Sequence, residues 1–135
     1  MIQERFCSLE LSKMLKEKGF DERCRDWYED GNEIVESDDR FGYRTNSNPI
    51  GDYVVCSAPT HQVAMDWVRE KGCYVEIHMM SRFDLEQEAN VFSFFHVCVN
   101  VLMDGVLSVH DLGYKSKDYA ECVEDALKYI IKNLI

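Results

Sequence analysis

The stretch Cys56-Ser-Ala-Pro-Thr-His-Gln-Val-Ala-Met-Asp-Trp-Val-Arg-Glu-Lys-Gly-Cys-Tyr-Val-Glu-Ile-His-Met-Met80 reads as a strand, a capped helix and a second strand. Pro59 keeps the residue before it extended, and the Thr60 hydroxyl can accept from the free N–H groups of a first turn, so a helix is expected to begin there. Val63, Ala64, Trp67 and Val68 recur at helical spacing and form its inward face. Gly72 suits the left-handed position that ends a helix, which brings Cys73 over Val68 and turns the chain straight into the next strand. Caps and core positions account for this stretch, so it reads as framework and not as an active site.

Towards the N-terminus the same devices recur. Ser8 is a candidate cap, Leu11, Met14 and Leu15 follow at helical spacing, and Gly19 with Phe20 repeats the glycine ending. Residues 21–39 hold nine acids against Arg23 and Arg25 and so carry −7 of the chain's −10. Within this acidic lobe Trp27, Tyr28, Ile34 and Val35 flank an Asp30-Gly31 turn, which predicts a short hairpin. A calcium loop starting at Asp26 fails, because its third position is Tyr28 and its twelfth is Ser37. Residues 40–52, rich in Gly, Asn and Pro, read as a loop, one that mobility would suit.

Towards the C-terminus, residues 91–99 are apolar at both alternations, with Val91, Phe95, Val97 and Val99 on one side and Phe92, Phe94 and Cys98 on the other. That pattern predicts a central strand, and with only three helices to cover the sheet one of its faces is expected to be left partly bare. Asp104-Gly105 makes a hairpin turn into a further antiparallel strand over residues 106–110. Asp118 with Glu121 marks the start of a last helix, whose inward face is Tyr119, Cys122, Val123, Ala126, Leu127, Ile130, Ile131 and Leu134. The elements predict a single α+β domain over residues 1–135. Its sheet is mainly antiparallel with a three-strand meander, the central and C-terminal helices pack on it, and the N-terminal helix joins the acidic hairpin.

A chain of 135 residues with 46% hydrophobic and 30% charged residues can bury a core without staples. The order helix, three strands, helix is also that of a double-stranded-RNA-binding domain. A net charge of −10 and a pI near 4.8 exclude nucleic acid, whose binding draws on Lys and Arg. The six cysteines are scattered with no Cys-x-x-Cys pair and read as free thiols. Glu4, Arg5, Glu10 and Lys13 interrupt any export signal, and the longest uncharged run, residues 89–103, is shorter than the roughly 20 residues that span a bilayer. The expectation is a cytoplasmic protein with no membrane contact.

Leu15-Lys-Glu-Lys-Gly-Phe-Asp-Glu22 with Cys24 and Tyr28, Asn46-Ser47, Cys56-Ser-Ala-Pro-Thr-His-Gln62 leading into Trp67-Val-Arg-Glu70, Val75-Glu-Ile77, and Tyr119 with Ala126-Leu127 form a pattern across most of the chain. In these residues the chain resembles a family of small proteins encoded by Bacteroidales bacteria and by their phages and mobile elements. The Ala-Pro-Thr helix start followed by Trp-Val-Arg-Glu is its most specific part. No activity is assigned to that family, so the resemblance implies a setting and no site.

Two constellations carry chemistry. His78, His96 and His110 fall on successive strands, with Cys98, Glu76 and Asp111 nearby, and convergence of His78, His96, His110 and Cys98 would make a metal site. Against it, strand histidines among aromatics commonly just pack, and compact zinc-ligand spacings are absent. Trp27 and Tyr28, rimmed by Asp26, Glu29 and Asp30, suit an aromatic anchor for a basic protein partner; the competing reading is a small satellite core under the hairpin. Ser108, His110 and Asp111 are too close in sequence to form a catalytic triad, and no phosphate loop or nucleophile motif is present. The favoured function is a non-enzymatic binding protein of a phage or mobile element acting on a protein, with no cofactor; an enzyme or metal protein using the strand histidines is the alternative. A homodimer through an uncovered sheet face or edge is also expected.

Overall fold

The computed structural model describes residues 5–30, 34–35 and 42–135, the side chains of Tyr114 and Lys115 excepted. In chain order the elements are α1 (Leu9–Glu17), β1 (Trp27–Glu29), β2 (Ile34–Val35), β3 (Val54–Ser57), α2 (His61–Glu70), β4 (Cys73–Asp84), β5 (Ala89–Met103), β6 (Val106–Ser116) and α3 (Tyr119–Asn133). The fold is α+β. Its strands form two antiparallel sheets, β2-β1-β3 and β4-β5-β6, instead of one. The strand before the central helix and the strand after it therefore belong to different sheets.

The predicted caps are all present. Ser8 accepts from the Leu11 N–H, Thr60 from the Val63 N–H, and Asp118 from the Ala120 and Glu121 N–H groups. Such caps are each worth about 1 kcal/mol. At the end of α1, Gly19 has φ +92° and the Phe20 N–H returns to the Leu15 carbonyl at 2.9 Å, the paired closure expected of a glycine ending. Gly72 has φ +88°, and its carbonyl accepts from the Leu102 N–H at 2.8 Å, so the end of α2 is fastened to β5. The capping box of α3 closes through an intermediary. The Asp118 N–H donates to Ser116 Oγ, and that hydroxyl donates to Glu121 Oε2.

The main core lies between the β4-β5-β6 sheet and the three helices. Val97, Val99 and Val101 of β5 meet Ala64, Trp67 and Val68 of α2 and Cys122, Val123, Ala126, Leu127, Ile130 and Ile131 of α3, with Leu11, Leu15 and Phe20 closing one side. Trp67 packs edge-on to Phe20 at 5.4 Å between ring centroids. A second, small cluster joins Tyr28, Cys56 and Ala58 to Phe6, Leu9, Ile34 and Val55.

The β1-β2 pairing, Trp27 with Val35 and Tyr28 with Ile34, is the predicted hairpin; its Gly31 turn lies outside the described residues. At the other end, Asp104 and Gly105 both have positive φ, the geometry of a two-residue hairpin turn, and join β5 to β6. The stretch before β3 has loop geometry but is tied down. Asn46 donates to the Phe20 carbonyl and accepts from the Ser57 N–H, and Ser47 donates through its N–H and hydroxyl to the Asp21 carboxylate.

β5 is the central strand of its sheet, as expected, and only one of its faces is covered. α2 and α3 pack on the same face, that of Val97 and Val99, and the opposite face has no layer over it among the described residues. Also among the described residues, no helix is long and apolar enough to cross a membrane.

Candidate functional site

Alternation along the β4-β5-β6 sheet decides which side chains meet. Cys73, Val75 and Ile77 of β4 pair with Val101, Val99 and Val97 of β5 on the helix side. Tyr74, Glu76, His78 and Met80 therefore point to the uncovered side together with Asn100, Cys98, His96 and Phe94, their cross-strand partners. On β6, Leu107, Val109 and Asp111 join that face opposite Leu102, Asn100 and Cys98.

The centre of this face is polar. Glu76, Cys98 and Asp111 make one cross-strand row, and His78 and His96 stand opposite each other in the next. His96 Nε2 lies 2.8 Å from Asp111 Oδ1, and His78 Nε2 lies 3.2 Å from Glu76 Oε2. The Gly113 N–H donates to Asp111 Oδ1, and this bond with that of His96 holds the Asp111 carboxyl below its usual range. Cys98 is the one half-buried cysteine among six free thiols, the other five being buried. Burial, and then the charges of Asp111 and Glu76, push its thiol up from the ordinary value.

Three of the four predicted metal residues thus share a face: His78, His96 and Cys98. His110 does not. It pairs with Val99 on the helix side, where its Nδ1 lies 3.2 Å from Tyr129 Oη. Since adjacent residues of a strand face opposite ways, the side chain delivered to the cluster is that of Asp111.

The hairpin reading of a protein-binding anchor is corrected as well. Trp27 and Tyr28 are each only 5% exposed and Asp26 is buried. Tyr28 Oη donates to the Cys7 carbonyl at 2.6 Å, and Trp27 Nε1 donates to Glu29 Oε1 at 3.1 Å. Burial pushes the Tyr28 hydroxyl up to about 12. Tyr28 belongs to the satellite core and Trp27 is buried outside that cluster, and of the five residues expected to form the anchor only Asp30 is exposed and Glu29 half-buried.

The exposed apolar surface lies elsewhere. Tyr74, Leu102, Leu107 and Val109 on the uncovered face, with Met103 and Val106 at the tip of the β5-β6 hairpin, are all substantially exposed, Leu107 and Val109 by 62%. Each of these residues is an ordinary strand former in sequence. Only the placement of both helices on one face shows that they are bare.

A second polar cluster escaped the sequence reading because its members come from three distant segments. His61 at the start of α2 and Ser8 at the cap of α1 converge on Glu124 of α3. His61 Nε2 is 3.0 Å from Glu124 Oε1, and Ser8 donates to the same carboxylate through its N–H and its hydroxyl at 2.6 and 2.9 Å. Cys7 lies beside them, its ligand atom within 4.8 Å of those of His61 and Glu124. Burial opposes the charge of Glu124, but the bonds from His61 and Ser8 outweigh it and hold the carboxyl below its usual range. The Cys7 thiol is pushed far up by burial and by Glu124, the reverse of what a nucleophile needs. Ser8 Oγ points its proton at Glu124, not at His61. The cluster is a clasp between three helices, flanked by an open groove that Arg5, Glu10, Asp125 and Lys128 line.

Comparison with known proteins gives no relative to set beside this geometry: no family model, no curated protein and no solved structure matches the chain.

Proposed function

We propose that this chain is a non-enzymatic binding module that receives a basic protein partner on the uncovered face of the β4-β5-β6 sheet. The observation that carries the reading is the continuous apolar surface of Tyr74, Leu102, Leu107 and Val109, extended by Met103 and Val106 at the hairpin tip. Bare apolar surface of this kind marks contact sites for other proteins. Charge supplies the partner's chemistry. Residues 73–116 hold six acids against Arg82 and Lys115 within a chain of net −10, so a partner with an apolar anchor and a basic rim is steered in, while phosphate backbones are repelled. The resemblance noted above favours a module of a phage or mobile element that acts on a Bacteroidales protein.

The test is affinity capture from a Bacteroidales lysate, followed by reconstitution with the purified captured protein. Direct binding that Leu107→Asp with Val109→Asp abolishes, and whose association slows as salt rises, supports the reading. Binding that survives this double substitution places the contact elsewhere and overturns it, as does a stable dimer of the chain through this face.

A further inference from the structure

The polar centre of the same face has a composition that protein contact alone does not call for. His96 and Cys98 stand two apart on β5 and so share a face, Asp111 is the direct partner of Cys98 on β6, and the ligand atoms of all three lie within 4.8 Å of one another. We propose that His78, His96, Cys98 and Asp111 bind one divalent transition-metal ion of the zinc class.

Geometry is the first argument. Zinc bonds of about 2.0–2.3 Å in a tetrahedron set donor atoms about 3.3–3.8 Å apart. His96 Nε2 and Asp111 Oδ1 are already closer than that, at 2.8 Å, and Cys98 stands beside both, so modest side-chain rotations make room for an ion among the three. The fourth ligand would come from β4, from His78, whose ring is turned to Glu76 and stands outside the compact group of three. His78 is the cross-strand partner of His96, and directly opposed residues on a sheet have β-carbons about 4.5–5.5 Å apart, within the reach of two imidazoles for a shared ion.

The surroundings are those of a ligand set. The Gly113 N–H fixes the Asp111 carboxylate from behind, and Glu76 is within hydrogen-bond distance of the His78 ring; carboxylate and backbone partners of this kind orient metal ligands and are themselves worth ten- to a hundredfold in affinity. Two imidazoles, one thiolate and one carboxylate select among metals. The sulfur and nitrogen donors disfavour magnesium and calcium, which take oxygen, and four protein donors in a compact set suit zinc or its spectroscopic substitute cobalt. Because the ligands come from all three strands, the ion would cross-brace the sheet beside the apolar patch.

The experiment is a cobalt(II) titration of chelator-treated, tag-free protein, followed by zinc displacement. One equivalent of cobalt is expected to give the strong visible bands of a tetrahedral site and a thiolate-to-cobalt charge-transfer band, both erased by zinc. Cys98→Ser is expected to remove the charge-transfer band, and His78→Ala or Asp111→Asn to weaken binding at least about tenfold. His78 and Asp111 are largely exposed, so these variants keep the fold. His110→Ala, on the opposite face, and Cys7→Ser, in the helix clasp, are expected to leave the spectrum unchanged. Absence of tetrahedral bands at equimolar cobalt, a charge-transfer band that survives Cys98→Ser, its loss in Cys7→Ser, or full affinity in His78→Ala would each overturn the assignment.

Discussion

A β-carbon built on Gly72 would stand 2.5 Å from the carbonyl oxygen of Leu102. The glycine that ends α2 is therefore required twice, once for its φ of +88° and once because β5 passes against it. Gly19 ends α1 at φ +92°, but a β-carbon there would meet nothing within 4 Å. Gly19→Ala should cost about 1 kcal/mol, the left-handed penalty alone. Gly72→Ala should cost distinctly more, because the fixed backbone of β5 must also give. Chemical denaturation of the two variants checks the order, and equal losses would show that β5 does not press on this turn.

Trp27→Ala should unfold the N-terminal sheet instead of loosening a complex. The ring is buried and its N–H is committed to Glu29, so truncation leaves a cavity, and large-to-small changes of this kind cost about 3–5 kcal/mol. A thermal melt unchanged by the substitution would return Trp27 to the surface and restore it as a candidate anchor.

What was legible in the sequence was what a few neighbouring residues decide. Ser8, Thr60 and Asp118 cap helices, Gly19 and Gly72 end them, and Asp104-Gly105 turns a hairpin, because each needs only its own side chain and the next turn. Long-range geometry was not legible. The apolar residues at both alternations of 91–99 suited a central strand with too little cover for both faces, yet which face stays bare depends on where α2 and α3 dock, and both dock on that of Val97 and Val99. His110 and Asp111 had to face opposite ways, but which of them meets Cys98 is set by register, including the irregularity between His96 and Cys98. The clasp of Ser8, His61 and Glu124 is held together only by tertiary packing.

That clasp predicts an acid-sensitive fold. The Glu124 and Asp21 carboxyls both lie below their usual range when folded, Glu124 through His61 and Ser8, Asp21 through Ser47. Groups depressed in this way contribute stability that is full above the unfolded pKa of about 4 and is lost as pH falls through the lower folded values. Glu124→Gln should destabilise by about 1–3 kcal/mol at neutral pH, because the amide meets donors from Ser8, and should flatten the acid limb of stability against pH. Denaturation midpoints across that range check it. Acid limbs that run parallel in wild type and variant would exclude Glu124 as a source of the acid sensitivity.

Asn46 spans two elements with one amide, donating to the Phe20 carbonyl at 2.7 Å and accepting from the Ser57 N–H at 2.8 Å. Asn46→Ala strands both partners and should cost about 1–3 kcal/mol, whereas Asn48→Ala, at an exposed position where among the described residues only the backbone N–H is bonded, should cost little. Hydrogen exchange should show the loss at Ser57 first. If the Ser57 amide keeps its protection in Asn46→Ala, the loop is held by its other contacts.

The uncovered sheet face makes opposite predictions about salt for two kinds of contact. Two copies of a chain of net −10 repel each other at low ionic strength, so apolar contact through Leu107 and Val109 between copies should strengthen as salt screens that charge. A basic partner is attracted by the same charge, and its association should slow as salt rises. Sedimentation of the chain alone is expected to show a monomer at low salt and weak self-association near 1 M salt, where the screening length falls to about 3 Å. Leu107→Lys with Val109→Lys should abolish that association without lowering thermal stability, because both side chains are exposed and support no core. Self-association that weakens with salt, or that persists in the double variant, would mean that copies meet through charged groups elsewhere and that this face is not the adhesive one.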